Sequence, residues 1–324
     1  MKLITEVTIP DYPFELDHNS PLMMLGSCFT EEIGRFLFNY LFPVCINPFG
    51  VTYNPGSVLK GLQSLTTKEN YTAEDLRYYN GLWFSFDHYT RFSDPDKEKT
   101  LERINLRFHE AKEMLDKAAL LIITWGTAWV YRHGKERKVV NNCHKLPAGE
   151  FIRERLRPAQ VVDRYAPFLE DLFKQKPGLK VLFTVSPVRH WKDGAHGNQL
   201  SKATLLLAAD DLVRSFPDHC FYFPSYEMVM DEMRDYRFYG SDLIHPNETA
   251  TRYIWERFRK ALITERSEKI INELEPLLKL KGHRPVRPSG SGQVRMEEKK
   301  ASLQRDLRDQ YPHLSWENWS DSNT

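Results

Sequence analysis

The sequence predicts an α/β fold in which a mainly five-stranded parallel sheet is wrapped by helices, and three observations predict it. Five short apolar runs have strand length: "PLMML" ending at Leu25, "PVCIN" ending at Asn47, "ALLIITW" ending at Trp125, "LKVLFTV" ending at Val185 and "CFYFP" ending at Pro224. They are continuous rather than alternating, the pattern of strands covered on both faces. Amphipathic stretches lie between and after them, and parallel strands need such long crossovers.

Each element has its own justification. Thr30 to Leu41 opens on Thr30-Glu31-Glu32, whose two carboxylates favour a helix N-terminus. Lys97 to Ala118, Pro158 to Gln175, Ser201 to Phe216 and Glu248 to about Lys279 carry helical periodicity. The stretch from Val51 to Asp96, rich in Tyr, Trp, Phe, Asn and Gly, is too long for a simple connection and reads as an elaborated loop or small lobe that covers the site. From about residue 281 to Thr324 the chain turns proline-, glycine- and charge-rich, and a flexible tail is expected there, with one helix-like patch from Met296 to Leu307. Residues 1–280 then form the domain.

Composition excludes several classes. The chain has 324 residues, 41% of them hydrophobic, enough for a sizeable core; 45 Lys plus Arg against 44 Asp plus Glu leave no field to steer it to nucleic acid or an anionic membrane. No apolar run reaches the roughly 18 to 20 residues of a membrane span, and charges interrupt the first residues where a signal peptide would be apolar, so a cytoplasmic protein is expected. Cys28, Cys45, Cys143 and Cys220 are widely spread, which points to reduced thiols and to neither a disulfide framework nor a metal site. No cofactor is expected.

In such sheets ligands sit beyond the carboxyl ends of the strands. After the first run comes Gly26-Ser27-Cys28-Phe29-Thr30, where a thiol or hydroxyl feels a helix N-terminus that lowers a cysteine's pKa and offers N–H groups to an oxyanion. The bland alternative makes Ser27 a helix cap and Cys28 a small hydrophobe. After the second run, Asn47, Gly50, Asn54 and Gly56 are turn formers that can also donate to an anion. Gly126 closes the third run, and Asn142, Cys143, His144 and Lys145 follow in one loop. The loop after the fourth holds His190, Asp193, His196 and Asn198. Past the fifth, Asp242 and His245 are three apart, so one turn can set the carboxylate on the imidazole, fixing its tautomer and stabilising the imidazolium.

A nucleophile block after the first strand and Asp-x-x-His-Pro before the last helix resemble the SGNH/GDSL hydrolase superfamily. More closely, "GSCFT", "TWGTAWVYR", "NNCHK", "SPVRH" and "DLIHP", spread between Ile4 and Leu278, resemble the GSCFA family. The resemblance implies a three-layer α/β/α sandwich, flavodoxin-like and of the SGNH-hydrolase type. It places Cys28 at the superfamily's nucleophilic serine and Ser27 at its aspartate, Asp242 and His245 at the acid and base, and Gly50 and Gly126 at the glycines of the oxyanion blocks. The third-block asparagine has no match, since Gly126-Thr127-Ala128 leads to Trp129; Asn142 and His144 are the candidates to replace it. The expected activity is hydrolysis or acyl transfer on an ester or thioester, of a small molecule or an acylated carbohydrate, through Cys28 or Ser27, with the N–H groups of Cys28 and Gly50 holding the oxyanion.

Two rival readings stand beside it. A non-catalytic module would bind a carbohydrate or small ligand on Trp83, Trp125, Trp129 and Tyr131. A basic segment from Arg284 to Lys300 would bind nucleic acid or a partner, although it also carries glutamates and lacks interleaved aromatics. Nothing in the sequence fixes an oligomeric state.

Overall fold

The five apolar runs form one parallel sheet in the computed structural model, which describes residues 5–282 and 291–319. In chain order, β1 (Leu22–Gly26) leads into α1 (Cys28–Asn39), β2 (Val44–Ile46) and α2 (Pro55–Thr67). A hairpin of β3 (Arg77–Tyr79) and β4 (Leu82–Phe84) precedes α3 (Lys97–Lys117) and β5 (Leu120–Trp125). Next come β6 (Trp129–His133), β7 (Val139–Val140), β8 (Phe151–Arg155), α4 (Pro158–Gln175), β9 (Lys180–Val185), α5 (Gly194–Ser215) and β10 (Cys220–Tyr222). A short turn α6 (Ser225–Glu227) is followed by α7 (Glu248–Leu262), α8 (Glu265–Gly282) and α9 (Ser291–Gln310).

The sheet order is β10-β9-β5-β1-β2. Chain order reverses between β1 and β5, which pair in parallel from Leu22 opposite Leu120 to Gly26 opposite Thr124. Crevices at such reversals are where open parallel sheets bind ligands. Side chains alternate across the sheet. Met23, Leu25, Ile123, Trp125 and Phe183 join a core with residues of α2, α3, α4 and α5, whereas Leu22, Met24, Ile122 and Leu182 join another with α1, α7, α8 and α9. Burial on both faces accounts for the continuous apolar runs.

Several expectations change. The stretch from Val51 to Asp96 contains a full helix, α2, started by Asn54, whose side chain accepts from Ser57 N–H, and by Pro55 in the first turn. The segment from Glu248 to Lys279 is two helices, because Ile263 and Thr264 leave helical geometry to bond Leu16: Leu16 N–H donates to Leu262 O, and Thr264 N–H to Leu16 O. α5 begins at Gly194, seven residues before the expected start. Residues 129–155 hold a three-stranded antiparallel sheet, β7-β6-β8, that the apolar pattern did not reveal.

The expected tail is docked further than its one helix-like patch. α9 packs on α8, and Leu307, Leu314, Trp316 and Trp319 are buried in the same core as Ile271 and Leu274. Residues 283–290 and 320–324, including Arg284 of the basic segment, lie outside the described residues. Among the described residues no helix is long and apolar enough to cross a membrane.

Candidate active site

β1 ends in a turn that three neighbours pin. Gly26 N–H donates to Asn47 Oδ1 (2.8 Å), Ser27 N–H to Thr124 O (3.2 Å), and Thr52 N–H to Gly26 O (2.8 Å). The chain can make this turn only because Gly26 lacks a side chain: its φ is +154°, and a Cβ there would lie 2.2 Å from Thr124 O. Ser27 is the N-cap residue of α1, yet its side chain makes no capping bond; its Oγ is buried without a partner, so the capping role expected for it is not filled.

Cys28 is the first residue of α1 and is half-buried. Burial pushes its thiol up, although the N–H groups of Phe29 and of Cys28 itself pull the other way. The expectation that the helix start would lower this pKa is therefore overturned. Loss of water outweighs two N–H groups, and the Glu31 and Glu32 carboxylates in the same turn add repulsion. Such a thiol needs a base to become a thiolate.

The Asp242–His245 pair lies in the loop before α7. His245 Nδ1 is 2.6 Å from Asp242 Oδ2, while Asp242 Oδ1 accepts from the N–H groups of Ile244 (2.9 Å) and His245 (3.0 Å). The backbone hydrogen bonds and that of the imidazole hold the Asp242 carboxyl down at about 2, so it is ionised at any ordinary pH. Leu243 takes a positive φ of 58° to bring the two side chains together, and Asn247 accepts from Ala250 N–H to start α7. With Nδ1 bonded to the carboxylate, Nε2 is left for chemistry. Both side chains are about half exposed.

Of the other predicted residues, the two glycines are close to the turn but their N–H groups are committed. Gly50 N–H donates to Asn47 O (2.8 Å), and Gly126 N–H to Tyr53 O (2.8 Å). The oxyanion role expected of the Gly50 N–H is thus taken up by the chain's own carbonyl. Gly126 serves differently, as empty space. A Cβ there would meet Tyr53 O at 3.2 Å, His190 Nε2 at 3.3 Å and Ser27 Cβ at 3.3 Å. Asn142 and His144 belong to the lobe: Asn142 bonds Thr90 Oγ1 and His144 N–H, and His144 stacks on Phe84 with Nε2 bonded to Ser85 O.

Two further residues lie at the site: His190, which the sequence named as a loop residue without a role, and Lys202, which it did not single out. His190 stands over Gly126, its ring perpendicular to that of Tyr53 and its backbone N–H donating to Asn198 Oδ1 (3.0 Å). Burial and the nearby Lys202 charge push it down to about 4, so it is neutral; the charge of His245 also reaches it. Lys202 is 1% exposed and donates to Gly126 O and Ser186 O, both at 2.6 Å, clasping the ends of β5 and β9. Burial pushes its ammonium down to about 7, against the pull of Cys28. Its place was legible, since Asn198, Lys202, Leu205 and Ala209 share the buried face of α5 at helical spacing.

The proposed stacking wall loses a member. Trp125 is fully buried in the core and bonds Tyr165, and the ring of Trp129 is covered by the Arg153 guanidinium at 4.1 Å, itself paired with Asp193. The four cysteines are free thiols, and among the described residues no group of three or more His, Cys, Asp or Glu side chains could hold a metal ion.

None of the curated proteins compared matches the chain. The model of the GSCFA family matches residues 21–258, from the start of β1 into α7, which is well over half of the chain and includes Ser27, Cys28, Gly126, His190, Asp242 and His245. The chain belongs to the GSCFA family.

Proposed function

We propose that the protein is an SGNH-like hydrolase or acyltransferase that acts on a small ester or thioester, with Cys28 as nucleophile, His245 as base and Asp242 as its orienting carboxylate. The observation that carries the reading is the Asp242–His245 pair, an imidazole whose Nδ1 lies 2.6 Å from a carboxylate, and a thiol at the start of α1 beside the β1/β5 reversal supports it. His190 Nε2 and Ser27 Cβ each lie 3.3 Å from the place a Cβ on Gly126 would take, which puts an imidazole near the nucleophile turn. The sheet order, read in strand sequence as 2-1-3-4-5, agrees with a flavodoxin-like three-layer sandwich of the SGNH type.

In this mechanism His245 Nε2 takes the Cys28 proton as Sγ attacks the carbonyl carbon, and the carbonyl oxygen becomes an oxyanion held by the N–H of Cys28 at the positive end of α1. The tetrahedral intermediate collapses, the leaving alcohol or thiol takes the proton from His245, and an acyl-Cys28 thioester forms. Water, or another acceptor, then loses its proton to His245, attacks the thioester and releases the acyl group and the thiol. Asp242, ionised throughout, stabilises the imidazolium in both halves. The thiol is favoured over the Ser27 hydroxyl because Ser27 is 1% exposed beneath the turn.

The test is labelling with a thiol-directed iodoacetamide, a serine-directed fluorophosphonate and p-nitrophenyl acetate, followed by peptide mass spectrometry. The expected result is acetylation at Cys28 that His245→Ala slows about a hundredfold, the usual scale of a lost general base. A folded protein that takes no label at position 27 or 28 is a binding module instead.

A further inference from the structure

Resting on that acyl-transfer reading, the geometry points to His190 as the side-chain donor of the oxyanion hole: we propose that its Nε2–H takes the place of the missing third-block asparagine, from a different strand end. The argument starts from Gly126. Two residues on, where a side-chain amide would be expected, stands Ala128, fully buried and without a donor. Asn142 and His144 are tied to Thr90 and Ser85 in the lobe. The ground above Gly126 is instead taken by His190, whose Nε2 lies 3.3 Å from where a Cβ would stand, as does Ser27 Cβ. An imidazole nitrogen that borders the same Gly126 position as the residue preceding the nucleophile is a candidate donor to a developing oxyanion.

The ring is held for this task. Its backbone N–H is anchored on Asn198, which is 4% exposed, and its ring stands perpendicular to that of Tyr53 with centroids 5.7 Å apart. The Tyr53 carbonyl accepts from Gly126 and Thr127 N–H, and Lys202 ties the Gly126 carbonyl to Ser186, so the strand ends under the ring form one bonded unit. Burial and the charges of Lys202 and Arg153 oppose a charge on the ring, against the pull of Asp193. A neutral imidazole donates one N–H without competing with His245 for the nucleophile's proton, and a preorganised donor of this kind is worth about a hundredfold to a thousandfold in rate.

The experiment compares two reactions of Cys28, acylation by p-nitrophenyl acetate, which passes through an oxyanion, and alkylation by iodoacetamide, which does not. His190→Ala is expected to slow acylation about a hundredfold and to leave alkylation within about twofold, while His190→Asn, which restores a donor, recovers at least tenfold of the loss. A thermal melt of each variant identifies any that fails to fold, and the Asn variant carries the comparison if the Ala variant does. Acylation unchanged in both variants overturns the assignment and leaves the acyl-transfer reading standing, as does a parallel loss of alkylation, which would mean that His190 acts on the thiol. If wild-type Cys28 is alkylated but never acylated, the acyl-transfer reading falls and this assignment falls with it.

Discussion

Gly26 and Gly126 end adjacent strands, and a methyl group would meet very different neighbours at each. At Gly26 it would press against the Thr124 carbonyl at 2.2 Å, backbone that belongs to the paired strand and cannot turn aside, at a φ that side chains rarely adopt. Gly26→Ala is therefore expected to destabilise the fold by about 3 kcal/mol, the upper range for overpacking. At Gly126 the contacts are 3.2 to 3.3 Å, and one of them is the His190 ring, which can shift by a few tenths of an ångström. Gly126→Ala should cost about 1 kcal/mol or less in a urea titration yet lower acylation of Cys28 about tenfold or more, since small displacements at a reacting centre are costly. Equal loss of stability in the two variants, or full activity in Gly126→Ala, would contradict this account. At this scale the sequence was legible for Cys28, Asp242 and His245 as candidates, because their spacing relative to strand ends is local. The thiol's pKa was not, because burial depends on what folds over it, and neither was His190, a loop residue whose Nε2 acquires meaning only above Gly126.

Elements with one dominant period were legible and those with mixed demands were not. β1, β5 and β9 are buried along almost all their length, and their runs announced them. β6 and β8, by contrast, expose one face and carry Arg132, His133, Arg153, Glu154 and Arg155, so their strands resemble loop. α9 showed only in part, as the patch from Met296 to Leu307, for another reason. Its apolar side is narrow, with Leu303 and Leu307 facing α8, and the anchoring Trp316 and Trp319 come after the helix ends. The hydrogen bonds of Ser315 N–H to Leu41 O and of Tyr311 to Glu273 tie this segment to the turn after α1 and to α8. Burying Leu307, Leu314, Trp316 and Trp319 is worth about 6 to 12 kcal/mol before the entropy of ordering the segment is subtracted. Ending the chain at Gly282 should therefore cost a net ~2 kcal/mol and lower the urea midpoint while Cys28 acylation survives. An unchanged midpoint would show that these contacts contribute nothing.

Across the whole molecule, acid should be felt in three separate places at once. His18 is buried against Phe42 with its ring nitrogens on Ser267 Oγ and Tyr40 O; His88 is buried among Phe49, Tyr71 and Phe92; His190 lies at the site. Burial pushes each of the three down to about 4. A histidine whose folded pKa is below the unfolded value of about 6.5 binds its proton more readily in the unfolded chain, so its stabilising share is complete above that pH and is lost as pH falls toward 4. The carboxylates held low, Asp242 at about 2 among them, stay ionised in this window and begin to matter only below their own unfolded values near 4. Stability in urea should fall by about 1 kcal/mol from pH 8 to 7, where the unfolded chain holds the Lys202 proton and the folded one only begins to, and should then fall between about 6.5 and 4, by up to about 4 kcal/mol per pH unit if all three histidine protons are taken up together. The three sites touch different elements, so the losses should add: His88→Phe, which removes one ring nitrogen pair from an apolar pocket, should flatten the slope by about a third without changing it elsewhere. A slope unaltered by that substitution, or one that begins only below pH 4, would place the acid sensitivity in the carboxylates instead.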